Sequence, residues 1–316
     1  MNLPESEARK IQANFLKTKF ERCCYPGEQC KNTPIRAHSI QRKKTLEQLS
    51  KNGHVVMIKQ KISTDPSEPP LSFQEMGLKK ATTFTGLCGQ HDQELFKDID
   101  TSEIDLTNSK HLFLLAYRSV LQVAHTKLET CHKIKTNGEG VNLQGLTQLL
   151  DENLIKCWHF YCWYKFFFDE MVLNYSFDQL DHLILKIDTG EPSIAVSSIL
   201  PLDEYDLGNN RAKLVVFNVF PQANMTYAVF SYFQDDFAEF IIHYGKFQPI
   251  TGEPLKIKLS ELILRECENF VIAPRLFESL SQSQKNSVLN YIFSSTISQV
   301  MDKSPDSWGD PVSLFK

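Results

Sequence analysis

Four side chains able to ligate a soft metal ion fall in two pairs, Cys24-x5-Cys30 and Cys88-x2-His91, and this spacing constrains the N-terminal third more than any other feature. A structural zinc site takes four Cys or His ligands in a tetrahedron, so the two pairs would fill one with no position left over. Pro26-Gly27 is turn chemistry that folds the backbone back and presents both thiols of the first pair to one ion. A helix is predicted to open at Cys88 and run to Phe96. Residues three apart on it share a face, so Cys88 and His91 can converge. Cys23 is the alternative to Cys24, which is preferred as the thiol nearer the turn. Eight cysteines in 316 residues, four of them in the head, read as reduced thiols around a metal and not as a disulfide framework.

Charge adds a second constraint. The first 61 residues carry 13 Lys and Arg against 5 Asp and Glu, or +8, which leaves −12 for the remainder of a chain whose total is −4. A basic head on an acidic body suits a polyanionic partner, DNA or RNA, with Arg36, Arg42, Lys43 and Lys44 as the phosphate-gripping candidates. The same charge run also fits the solvated face of a helix followed by a lysine-rich loop. No apolar run approaches the roughly 20 residues of a membrane helix. The acidic start, Met1-Asn2-Leu3-Pro4-Glu5, has no apolar signal core, so a cytoplasmic protein without a membrane partner is expected.

Periodicity organises the rest. Helices are predicted over residues 5–22, 42–51, 109–135 and 146–175, the last rich in aromatics that read as core. A strand over 34–41 carries His38, and another covers 54–62. The proline-containing stretch 63–71 reads as an exposed loop inside the head. After Ser176 the pattern turns to strands over 183–187, 193–200, 213–220 and 226–233, then returns to helix over 260–268 and 279–295. Cys131-His132 and Cys157-Trp-His159-Phe-Tyr-Cys162 can be drawn as a second metal site, but on long aromatic helices they read as core packing. No phosphate-binding loop, dinucleotide fingerprint or serine nucleophile elbow is present.

A turn with two ligands, a strand bearing Ala37-His38-Ser39-Ile40, and a helix start with Leu87-Cys88-Gly-Gln-His91-Asp92 resemble the treble-clef metal fingers, and more narrowly the HNH (ββα-metal) endonucleases. The resemblance covers about residues 20–100. It implies His38 as general base on a water and Asp92 as a ligand to a catalytic divalent ion, Mg²⁺ or another, beside a structural Zn²⁺. Two positions depart from that pattern: Ala37 precedes the histidine, and Thr83 or Thr85 stands where the middle Asn would fall. Over its whole length the chain also resembles a group of bacterial proteins without an established reaction, through residues 81–96 and Ala116-Tyr117-Arg118.

The expected architecture is therefore α+β. It comprises an HNH-like zinc-binding head over 1–105, a helical region over 106–178, and a C-terminal α+β domain over 179–316 with an antiparallel sheet. The expected function is a metal-dependent endonuclease acting on nucleic acid, with a role in anti-phage defence suggested by association alone. The alternative is a non-catalytic subunit, folded by zinc, that binds nucleic acid or a protein partner, the latter through the C-terminal domain.

Overall fold

The computed structural model describes residues 13–15, 17–27, 30–60, 71–138, 144–202, 213–301 and 312–316. Its centre is a seven-stranded sheet in which every pairing is antiparallel. In spatial order the strands are β3 (Leu71–Gly77), β2 (His54–Gln60), β9 (Phe270–Ile272), β6 (Ile194–Pro201), β7 (Leu214–Gln222), β8 (Met225–Phe233) and β5 (Leu180–Ile187). The β7–β8 hairpin closes on Ala223 and Asn224, both left-handed (φ +50° and +62°), as a two-residue turn matched to strand twist requires.

Side-chain alternation along β7 and β8 explains why their sequences are almost continuously apolar. Val215, Phe217, Val219, Ala228 and Phe230 point to one core; Leu214, Val216, Phe220, Val229 and Phe233 point to another. The first core is covered by α6 (Gly252–Glu266) and by residues of α5 (Phe237–Tyr244), α7 (Pro274–Ser279) and α8 (Gln282–Met301). The second is covered by the helical middle: α2 (Ser109–Gly138) and α4 (Phe166–Asn174), with the end of α3 (Gln144–Phe160). A π-helical turn, Tyr161–Lys165, splits the predicted aromatic helix in two. Phe160, Tyr164 and Phe168 are buried as expected, whereas Trp158, Phe166 and Phe167 are exposed.

The head contains a two-stranded antiparallel pair, β1 (Ala37–His38) and β4 (Thr83–Phe84), followed by helix α1 (Gly89–Thr101). Between β1 and β4 lie a π-helical turn Arg42–Leu46, a short helix Glu47–Leu49 and the β2–β3 hairpin. That hairpin joins the C-terminal sheet through Val56 opposite Ile272, so one sheet takes strands from both the 1–105 and the 179–316 segments. A third core fuses the parts: Ile40, Leu46, Leu49, Val55 and Leu78 pack with Ala195, Val271 and Ala273. Of the predicted helix over 5–22, residues 13–15 and 17 are helical; residues 1–12 lie outside the described residues, as does most of the predicted loop over 63–71.

Leu46 is fully buried in the third core. Leu46→Ala is therefore expected to lower the free energy of unfolding by about 3 kcal/mol. Urea denaturation followed by circular dichroism and by tryptophan emission should give one coincident transition, because head and sheet share this core.

Candidate metal centre and adjoining basic cavity

Two short backbone contacts bring the first ligand segment to the second. The Cys24 N–H donates to the Gly86 carbonyl (2.7 Å), and the Ile35 N–H donates to Leu87 (2.8 Å), with Pro34 bridged to Cys88. Gly86 has to be glycine here, since a Cβ would lie 2.4 Å from the Phe84 ring. Cys23, Cys30, Cys88 and His91 converge in consequence, with their ligand atoms all within 4.8 Å of one another.

This corrects the choice between neighbouring thiols: the cluster takes Cys23, not Cys24. The pair lies in a non-helical stretch pinned by the Cys24 N–H, so successive side chains point to opposite sides. The Cys24 thiol turns away toward the Arg22 carbonyl (3.7 Å) and receives the Tyr161 hydroxyl (3.8 Å) from the helical middle. Burial pushes its pKa up. Cys30, Cys88 and His91 fall where the spacing placed them.

The distances suit a tetrahedral ion. Bonds of about 2.3 Å to sulfur and 2.0 Å to nitrogen imply roughly 3.8 Å between sulfurs and about 3.5 Å between sulfur and nitrogen. Cys30 Sγ is 3.8 Å from Cys88 Sγ, and His91 Nδ1 is 3.4 Å from both Cys23 Sγ and Cys88 Sγ. Three thiols and one imidazole are a donor set that could bind a metal ion such as zinc.

The surroundings tune the thiols in opposite directions. Burial pushes Cys23 up to about 11, against hydrogen bonds from the Cys88 and Tyr25 N–H groups. Burial also acts upward on Cys88, but hydrogen bonds from the His91 N–H and from Cys30, Cys23 and Asn32 outweigh it and hold Cys88 below the ordinary thiol value. Tyr25 stacks on the His91 ring (3.8 Å between centroids, 12° between planes) and fixes its orientation. Behind the cluster, Lys165 is buried in the π-helical turn and donates to the Cys24 carbonyl (3.1 Å) and to Asp169 (2.5 Å), which also accepts from Tyr117 (2.7 Å). The ligand loop is thereby tied to the helical middle.

On the other side of α1 lies a cavity of about 350 Å³. His38 and Asp92 both line it, as do all four predicted phosphate-gripping residues, Arg36, Arg42, Lys43 and Lys44. His38 Nε2 lies 2.7 Å from the Leu78 carbonyl. A carbonyl only accepts, so Nε2 carries the proton and Nδ1 is left as the basic nitrogen. Burial lowers the His38 pKa, assisted by Arg42 and Arg118 and opposed by the Leu78 hydrogen bond and Asp100. Asp92 is raised by burial, with Arg118 pulling it down and Asp100 pushing it up.

Arg118 and Asp100 also line the cavity, and the sequence alone assigns neither a role. Arg118, only 4% exposed, holds Asp100 in a two-pronged ion pair (2.8 Å each) and lies 4.1 Å over the Phe96 ring. Its signal was faint: a single cation inside the apolar stripe of α2. With it the cavity has five cationic side chains against two carboxylates. The second metal site considered from sequence does not form among the described residues, where Cys131 and Cys157 are buried and the Cys23 cluster is the one set with metal-binding geometry. The side chain of Cys162 lies outside the described residues. Among the described residues no helix is long and apolar enough to cross a membrane.

Compared with protein-family models, curated proteins and solved structures, the chain matches none.

Removal of one ligand from a four-ligand site costs most of its metal affinity. Cys23→Ser and Cys88→Ser proteins are therefore expected to purify without bound metal, whereas Cys24→Ser keeps about one ion per chain. Elemental mass spectrometry of the purified variants checks this.

Proposed function

We propose that the chain is a metal-dependent nucleic-acid endonuclease of the HNH type, with zinc in the Cys23, Cys30, Cys88 and His91 cluster. One observation carries the reading: His38, Asp92 and a set of cationic side chains line a single cavity against the helix that supplies two of the metal ligands. Arg36, Arg42, Lys43 and Lys44 would bind the phosphate backbone through charge, independent of sequence. Arg118, fixed by Asp100 and Phe96, offers a preorganised cation where charge develops on the phosphate.

His38 Nδ1 accepts a proton from the attacking water as the water oxygen bonds to phosphorus and the phosphorus–oxygen bond to the leaving group breaks. The leaving oxygen takes its proton from solvent. Asp92, at the start of α1, is the carboxylate offered to a divalent cation such as Mg²⁺, which would stabilise charge on the phosphate and the leaving oxygen. Burial helps His38 by keeping it neutral, the form that can accept a proton.

Plasmid nicking and RNA cleavage with Mg²⁺ test the proposal. His38→Ala is expected to lose about 10²- to 10⁴-fold in rate while retaining its zinc. Wild type that shifts DNA in a salt-sensitive manner but never cuts it would favour the non-catalytic binding role instead, with Ala37 in place of a second ion ligand as the reason. Wild type that neither cuts nor binds would leave the C-terminal domain as the surface for a protein partner.

The pH dependence follows from the lowered His38 pKa. Rate is expected to rise with pH and level off below the ordinary imidazole value of 6.5. The same shift acts on stability, because the unfolded state binds the proton more readily. Its contribution is complete above 6.5 and is lost as pH falls through the folded-state value, as a pH series of rates and melting curves would record.

A further inference from the structure

Thr82 carries two local costs at once. Its φ of +54° lies in the left-handed region, where a β-branched residue is an outlier, and its buried hydroxyl has no hydrogen-bond partner among the described residues. Such strain persists only where the surroundings over-determine it, and it gathers at functional sites. Thr82 directly precedes β4, whose Thr83 faces His38.

Thr82 is linked through Ser39 to the far end of the chain. Its carbonyl accepts both the N–H and the hydroxyl of Ser39 (3.0 Å each). Ser39 Oγ in turn accepts from Asn269 Nδ2 (2.9 Å), which also donates to the Ser197 carbonyl (2.9 Å). The Ser197 N–H closes the link on the Asn269 carbonyl (3.1 Å), and Ser197 Oγ meets Ser119 Oγ at 2.7 Å. A hydrogen-bonded chain thus runs from the residue beside His38, across β6, to the residue beside Arg118.

We infer that Asn269 is a positioning residue for His38. The turn over 78–82 begins at Leu78, whose carbonyl fixes the His38 tautomer, and ends at Thr82, which Asn269 holds through Ser39. The Lys80 and Ala81 N–H groups both donate to the Gly77 carbonyl (2.8 and 3.1 Å) and brace the turn, so a displacement at Thr82 is passed back through a short, closed segment to Leu78. Without the Asn269 amide, Thr82 can relax to an ordinary φ. Its carbonyl then swings off Ser39, the Leu78 oxygen shifts against His38, and the ring is free to exchange tautomers. The catalytic consequence rests on the proposed nuclease function; the geometric one does not.

The experiment uses the full chain with metal bound and its histidines labelled with ¹⁵N, the His38 signals being identified by their loss in His38→Ala. Wild type is expected to show His38 as the Nε2–H tautomer. Asn269→Ala and, independently, Ser39→Ala should shift it toward tautomer exchange and lower kcat for nicking about tenfold at nearly unchanged KM, with metal content held. A His38 signature identical to wild type in both variants overturns the inference. If wild type does not nick, the ¹⁵N signature alone decides, so failure of the nuclease proposal is read separately. If Asn269→Ala does not fold, Ser39→Ala carries the same test, since it breaks the link and leaves the Asn269–Ser197 contacts in place.

Discussion

The site depends on a strand of three residues. Phe270, Val271 and Ile272 of β9 lie between β2 of the head and β6 of the C-terminal half, and all three are buried. Without that pairing the β2–β3 hairpin and the remaining sheet would each present an open edge, which is unfavourable and invites non-specific pairing. With it the long insert between His38 and the second ligand pair becomes a structural arm. The arm's far end, Leu78, returns to hold the His38 ring. The basic head consequently shares a sheet and a core with the C-terminal half.

Two kinds of order meet at α1. On one side its first turn presents Cys88 and His91 to Cys23 and Cys30; on the other, Asp92 and Asp100 line the cavity, and Phe96 packs under Arg118. An ion in the cluster would fix the helix start directly, and the positive end of the helix favours the depressed pKa of the Cys88 thiol. Metal binding would then position Asp92 although Asp92 is not one of the cluster ligands. Under the proposed function the excess of cations in the cavity would attract a phosphate backbone, and Arg118, already held by Asp100 and the Phe96 ring, would lose little further freedom on meeting it.

The structure also accounts for the density of aromatic residues in the helical middle. Helices that cover a sheet buried on both faces need wide apolar surfaces: Phe113, Tyr117 and Phe168 stack in succession, Tyr164 tilts against Phe168, and Tyr164 and Phe168 meet Phe233 edge-on. The polar groups inside this layer, Lys165 and Asp169, pair with each other, and Lys165 also binds the Cys24 carbonyl; the pairing offsets part of the cost of burial, which still raises the Asp169 pKa.

Local chemistry made much of this legible. Three of the four cluster residues follow from spacing alone, because turn and helix geometry operate over a few residues. The strands β5 to β8 follow from their β-branched and aromatic runs, and α2 from its apolar stripe. What sequence could not supply was every choice made across long separations. Cys23 rather than Cys24 was decided by Gly86 pinning the intervening backbone. The strands β3 and β9 went unseen, one half-exposed at an edge and the other three residues long, since both owe their conformation to partners distant in the chain. The tautomer of His38, the Arg118–Asp100 pair and the Asn269 link are likewise products of packing: a side chain's type states what it can bond, and only the tertiary fold selects which partner comes within reach.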